Sequence, residues 1–372
     1  MSNETVRVAL LTGYLGAGKT TTLNYILGNQ QGIRAAVIVN DIGEVNIDAD
    51  LIEKSGGASM QDENLIPLSN GCICCTLKDD LATQLGDLAK SGKYNYIIIE
   101  ASGICEPIPI CQTIAMICEE MTQEGVSMKI DNVIAVVDAA RMLQEFENGR
   151  ALQREDLEED DLENLLIQQI EFCTTLVLNK TDLVNEDQLK ELKALIRTLQ
   201  SEAKIIETEH GQLDVAEVLN TDNFNLDQAM ASAGWVEAIQ HPEEHEEGEA
   251  YEYGIDTFVY ERRRPFIHDK LVELCDTWPH SIIRCKGMVW YQEEPSMSFI
   301  FEQAGRQITE SPSGKFLASA PKAQQEAVLR RYPQVKKMWD EKYGDRMIKL
   351  VFIGKDMDQE AIIAGLDSCL GE

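Results

Sequence analysis

"VRVALLTGYLGAGKTTTLNYILGN" spans residues 6–29, and its reading decides the fold. Residues 6–13 form an apolar, partly β-branched run that enters a glycine-rich turn, the pattern of a buried strand. Residues 20–29 read as a helix stopped by Gly28 and Asn29. Between them "GYLGAGKT" (13–20) fits G-x-x-x-x-G-K-[ST], and the strand–turn–helix setting is the one that identifies a P-loop. Gly13, Gly16 and Gly18 let the backbone N–H groups of the loop, that of Ala17 included, wrap a phosphate, and the helix N-terminus adds a favourable dipole. Lys19 then reaches the β- and γ-phosphates, Thr20 offers its hydroxyl to Mg²⁺, and Thr21 meets the α-phosphate.

Outward from this loop, "AAVIVN" (35–40), "YNYIIIEA" (94–101), "NVIAVVDA" (132–139) and "TTLVLNK" (174–180) are continuous apolar runs, as expected of strands buried on both faces of a mainly parallel sheet. Helical periods lie between them: Leu81, Leu85 and Leu88, then Leu162, Leu166 and Gln169, then Leu189, Leu192 and Leu195. The alternation predicts an α/β, doubly wound P-loop NTPase domain over 1–215. "HPEEHEEGEAYE" (241–252) is too charged to bury, so 216–253 reads as an acidic linker region. Residues 254–372 change texture. Strands are expected in "YGIDTFVYERRRPF", "SIIRCKGMVWY", "SMSFIFEQAG", "GRQITES" and "MIKLVFIGK", with helices in "FIHDKLVELCD" and, capped by Asp358, in "DQEAIIAGLDSCL". That is a smaller α+β domain.

"NKTD" (179–182) ends a strand, where doubly wound sheets bind ligands. Asp182 can accept hydrogen bonds from the N1–H and exocyclic amine of guanine, a donor pair that adenine lacks. Asn179 orients this loop and Lys180 lies along the base or ribose, so GTP and GDP are the expected nucleotides. Glu100, at the end of "YIIIEASG" (96–103), is the acidic strand end that organises Mg²⁺ with Thr20, and the backbone N–H of Gly103 is placed to sense the γ-phosphate. "NDIGEVNID" (40–48) reads as a first switch carrying Asp41, Glu44 and Asp48. Lys19, Glu100 and Asp41 are the candidate catalytic residues. No water-orienting Gln or arginine finger stands out, so slow intrinsic turnover that waits for a partner is expected.

Residues 71–75 read "GCICC", and the thiols of Cys72, Cys74 and Cys75 are too close in sequence to bridge one another without strain. They read as buried small hydrophobes, a redox device or a metal cup. Soft and borderline cations such as zinc, cobalt or nickel suit thiolates, and three ligands from one short loop favour an open, exchangeable site over a closed structural one. The other cysteines of the ten, such as Cys105, Cys111, Cys118, Cys173 and Cys369, read as core residues. His268, His280 and Cys285 read as structural more readily than as ligands. A net charge of −31 argues against nucleic acid as a partner. No apolar run approaches a membrane span and no signal-peptide core is evident, so the expectation is cytoplasmic, without membrane contact.

With these residues assembled, the chain resembles the CobW-like metallochaperone GTPases, relatives of HypB and UreG. "TGYLGAGKTTTLN", "NDIGEVNID", "SNGCICCTLKDDL", "IIIEASGICEPIP", "QIEFCTTLVLNKTDL", "IIRCKGMVW" and "KLVFIGKDMD" carry the resemblance. Together with "EEMTQEGV", "SAGW" and "YGIDTFVYERRRPF", they look most similar to the YciC-type branch associated with zinc limitation. The resemblance implies a GTPase that loads zinc or another divalent metal at Cys72, Cys74 and Cys75 and hands it to a metal-requiring client protein. The second domain would serve client recognition or self-association, a homodimer included. Two departures stand out: only His241 and His245 remain where relatives carry a His-rich stretch, and the switch begins Asn40-Asp41 where the family often has Asn-Glu. The competing readings are a passive zinc buffer with a vestigial nucleotide switch and, on the same scaffold, a small-molecule kinase.

Overall fold

In the computed structural model, every residue of β1 (Val6–Gly13) except Arg7 is buried, and alternate side chains enter two different cores. Val6, Val8 and Leu10 join one, while Ala9 and Leu11 join the other. This two-sided burial explains why the strand reads as an unbroken apolar run. The structure describes residues 5–29, 32–39, 65–67, 78–103, 105–146, 160–231, 253–305, 307–337 and 339–371. They fall into two compact units, one drawn from Met1–Glu145 and Leu165–Ala233, the other from Phe146–Asn164 and Gly234–Glu372.

The first unit is built on a seven-stranded sheet in the order β3-β2-β4-β1-β5-β6-β7, with every recorded pairing parallel. The strands after β1 are β2 (Ala35–Val39), β3 (Leu65–Pro67), β4 (Tyr96–Glu100), β5 (Met128–Asp138), β6 (Thr175–Asn179) and β7 (Lys204–Thr208). Helices α1 (Lys19–Asn29), α2 (Lys78–Ser91), α3 (Pro107–Gln123), α4 (Ala139–Phe146), α5 (Asp160–Glu171), α6 (Glu186–Leu199) and α7 (Leu226–Ala231) complete it, except that Phe146 of α4 and the first five residues of α5 are grouped with the second unit. Leu23 and Ile26 of α1 fill the core on one face, and Leu81, Leu85, Ile110 and Ile114 of α2 and α3 fill the other. Strands β2–β4 lie on one side of β1 and β5–β7 on the other, so the winding reverses at β1, where such sheets bind ligands. Cys105, Cys111, Cys118 and Cys173 are buried as expected, and burial pushes the Cys118 and Cys173 thiols up to about 12.

The expected domain edge at residue 215 falls inside this unit. Val218 and Leu219 are buried in its core, and Phe224, Leu226 and Ala229 pack against it. Asp131, fully buried, fastens the segment. It accepts hydrogen bonds from the Tyr96 hydroxyl (2.5 Å) and from the backbone N–H groups of Thr221 (3.1 Å) and Asp222 (2.7 Å). The Arg7 guanidinium lies 3.6 Å away. Burial, reinforced by the Asp131 charge, raises the Tyr96 hydroxyl pKa, so Tyr96 stays a donor. Residues 216–231 therefore belong to the first unit rather than to a linker.

The second unit holds an antiparallel five-stranded sheet, ordered β11-β10-β9-β12-β8. Its strands are β8 (Ile255–Arg262), β9 (Ile282–Val289), β10 (Met297–Ala304), β11 (Gln307–Lys315) and β12 (Ile348–Lys355). Helices α8 (His268–Cys275) and α11 (Gln359–Ser368) cover one face, where Leu271, Ile362 and Leu366 meet Ile348, Leu350 and Phe352 of β12. Asp358 caps α11 by accepting from the Ala361 N–H at 3.0 Å. Two further helices, α9 (Lys322–Arg331) and α10 (Pro333–Lys337), were not expected, and neither was β7. Among the described residues no helix is long and apolar enough to cross a membrane.

Replacing Asp131 with Ala strips the Arg7 charge, the Tyr96 hydroxyl and two amides of their shared acceptor. The variant is expected to lose about 3–5 kcal/mol of stability, read by chemical denaturation, while a surface control such as Asp187→Ala changes little.

Candidate functional site

Parallel pairing aligns the strand ends of the first unit along one sheet edge. Leu11 pairs with Glu100, Gly13 with Val136, Asp138 with Asn179, and Asn179 with Thr208. The P-loop therefore leaves β1 between Glu100 on one side and Asp138 and Asn179 on the other. Gly13, Gly16 and Gly18 all have positive φ, as the turn from strand to helix requires. Within the loop the Ala17 N–H donates to the Tyr14 carbonyl (3.1 Å), and Lys19 folds back so that Nζ lies 3.4 Å from the same oxygen. Thr21 is exposed at the start of α1, beside Thr20.

Gly18 shows why this position excludes a side chain. Its φ is +105°, and a Cβ there would stand 2.3 Å from Nδ2 of Asn179. The space is needed because Asn179 ties the loops together. Its Nδ2 donates to the Ala17 carbonyl (2.9 Å), while its Oδ1 accepts from the Thr208 hydroxyl (3.1 Å) and the Gly211 N–H (2.9 Å). Asn179 thus joins the start of the loop that carries Lys180 and Asp182 to the P-loop and to the turn at Gly211. Lys180 takes a left-handed conformation (φ 62°) and sends Nζ to the Gly16 carbonyl at 2.8 Å and to Asp138 Oδ2 at 2.5 Å. Asp182 is exposed in the short turn Thr181–Leu183, open to a base.

On the other side of the loop, the Thr20 hydroxyl donates to Glu100 Oε1 at 3.1 Å. Glu100 is only 2% exposed. A hydroxyl and a carboxylate side by side at the end of a P-loop are hard oxygen donors, the chemistry that Mg²⁺ prefers. Gly103 packs directly on the P-loop, since a Cβ there would stand 2.8 Å from the Leu15 nitrogen. The Cys105 thiol behind it is raised by burial, against the opposing pull of Ser102 and the Lys19 charge.

Lys19, Thr20, Glu100, Gly103, Asn179, Lys180 and Asp182 are thus gathered at one sheet edge. Asp41, Glu44, Asp48, Cys72, Cys74, Cys75, His241 and His245 lie outside the described residues. Among the described residues no group of three or more His, Cys, Asp or Glu side chains is placed to hold a metal ion. His268 packs edge-on against Tyr291, His280 is exposed and Cys285 is buried. Sequence reasoning missed Asp138, Arg141 and the 208–211 loop. The acidic end of "NVIAVVDA" was the available signal for Asp138; for Arg141 there was none.

Residues 7–207 match the family model described as CobW/HypB/UreG, nucleotide-binding domain, and residues 255–370 match the cobalamin synthesis protein CobW C-terminal domain. Zinc-regulated GTPase metalloprotein activator 1 of Dictyostelium discoideum is 35% identical, with 99% of this chain and 80% of that protein aligned. Zinc chaperone CobW of a Sinorhizobium species is 30% identical over 82% of this chain and 86% of its own length. Zinc chaperone YjiA of Escherichia coli is 28% identical over 96% and 97%. The loop built on Gly18 and Asn179, the acidic strand end at Glu100 and both domain matches converge: the chain belongs to the CobW/HypB/UreG family and is a GTPase.

Proposed function

We propose that this GTPase binds zinc at Cys72, Cys74 and Cys75 and passes it to a metal-requiring client protein, with metal affinity set by the nucleotide state. The observation that carries the reading is a register: Pro67 at the end of β3 pairs with Val39, and Val39 pairs with Glu100. β3 therefore ends at the sheet edge that holds the P-loop and α2 begins at Lys78, and the three thiols fall between these two ends in the sequence. β2 ends at Val39 on the same edge, and Asp41 follows it two residues on in the sequence. Relatives named as zinc chaperones and as a zinc-regulated activator support zinc as the cargo. Thiolates also accept cobalt and nickel.

In hydrolysis, water attacks the γ-phosphorus, the bond to the β–γ bridging oxygen breaks, and GDP and phosphate leave. Lys19 places its charge between the β- and γ-phosphates, and Asp182 accepts from the guanine N1–H and amine. Thr20 and Glu100 would hold Mg²⁺, which supplies positive charge to the phosphate oxygens when bound. Gly103 packs on the loop beside Leu15, and its amide would report loss of the γ-phosphate along the chain toward α3. In the second unit, β11 is a sheet edge exposed from Thr309 to Ser313 and offers backbone hydrogen-bonding groups to a client or a second copy.

Asp182→Asn exchanges an acceptor for a donor. GTP binding is expected to fall about 10²-fold or more, and xanthosine triphosphate, with a carbonyl at C2, to become the better ligand in equilibrium titrations. The cargo reading is tested by competing zinc, cobalt and nickel for protein loaded with Mg²⁺ and either GDP or a non-hydrolysable GTP analogue. Zinc affinity should differ between the two states by about 5–150-fold, and Cys74→Ser should abolish the difference. Equal affinities would remove the coupling, and negligible GTP turnover with and without metal would leave a passive zinc buffer.

A further inference from the structure

We propose that Asp138 and Arg141 are positioning residues for guanine-nucleotide binding, clamping the P-loop and the base-reading loop together from the end of β5. Asp138 is the last residue of β5 and stands in register with Asn179. Its two carboxylate oxygens serve two arms. Oδ2 lies 2.5 Å from Lys180 Nζ, which also donates to the Gly16 carbonyl at 2.8 Å. Oδ1 accepts from the Arg141 N–H at 3.1 Å, fixing the first turn of α4. From that turn the Arg141 guanidinium lies 3.9 Å above the Tyr14 ring and donates to the Tyr14 hydroxyl at 3.0 Å.

The two arms therefore grip the P-loop at Tyr14 and Gly16, on either side of Leu15. Tyr14 is well placed to be gripped, since its carbonyl already accepts from the Ala17 N–H and from Lys19 Nζ. The Asp138–Lys180 pair is partly shielded, with side chains 13% and 33% exposed, so water and salt weaken it less than a surface pair. Lys180 holds a left-handed backbone conformation that a non-glycine residue adopts at some cost, and the ion pair helps to fix it. Without the carboxylate, the Lys180 ammonium keeps one neutral acceptor and the base loop gains freedom. Neither Asp138 nor Arg141 needs to touch the nucleotide.

The inference rests on the guanine site assigned above, and the experiment separates the two. Full-length Asp138→Asn, Arg141→Gln, Lys180→Ala, Asp182→Asn and the Asp138→Asn/Lys180→Ala double variant are titrated with a fluorescent GDP analogue, and GTPase kinetics are recorded. Asp138→Asn and Arg141→Gln should each raise the Kd about tenfold, and the double variant should lose little beyond Lys180→Ala. KM for GTP should rise in parallel while kcat stays within about twofold, and the melting temperature of nucleotide-free protein should hold. Should Asp138→Asn fail to fold, Arg141→Gln, at a half-exposed position, carries the test. Losses that multiply in the double variant, or Kd values within about twofold of wild type, overturn the clamp while loss of binding in Asp182→Asn upholds the site. If Asp182→Asn binds GDP like the wild type, the site assignment fails and the clamp falls with it.

Discussion

The side-chain amide of Asn179 is the point on which the candidate nucleotide site depends. One planar group, 2% exposed, donates to the phosphate loop at Ala17 and accepts from Thr208 and Gly211. An amide is suited to this because it carries donors and acceptors in fixed opposite directions, and a carboxylate in its place would face the Ala17 carbonyl with like charge. Each bond contributes about 0.5–1.5 kcal/mol, yet the geometric consequence is larger than the energy. Loops from β1, β6 and β7 become one surface, and Gly18 must lack a side chain for the contact to exist.

The two sheets show how burial shapes what each unit can do. The parallel sheet is covered on both faces, so its central strands are largely apolar and its chemistry is pushed to the C-terminal strand ends. There Glu100, Asp138, Asn179 and Thr208 appear as polar terminations of apolar runs. The antiparallel sheet concentrates its core on the face packed by α8 and α11 and carries an exposed edge strand, β11. It brings together no metal-ligating cluster among the described residues. The division of labour follows from topology: one unit presents loops at a reversal in winding, and the other presents an edge.

Much of this was legible because the signals were local. The P-loop spacing, the apolar runs and the strand-end NKTD are short-range patterns, and the structure places them where the pattern implies. What escaped the sequence reading has physical reasons. β7 is five residues long and carries charges at Lys204 and Glu207, so its apolar signal is weak. α9 has no buried residue and hence no apolar stripe to read. Residues 216–231 look like a linker by composition, but Asp131 holds their backbone from a strand 90 residues earlier. Arg141 gave no warning because its partner, Tyr14, is 127 residues away.

By itself the sequence determined the phosphate-binding chemistry, the guanine preference and the two-part layout, since each is written in residue types at fixed spacing. The tertiary structure alone decided which loops share an edge, how far the first unit extends and which side chains steady the site. Those depend on strand order and register, which join residues far apart in the chain through single contacts: Thr20 to Glu100, Asn179 to Ala17, Asp138 to Lys180. No local pattern encodes such a pairing, because its partner is chosen by the packing of the whole sheet.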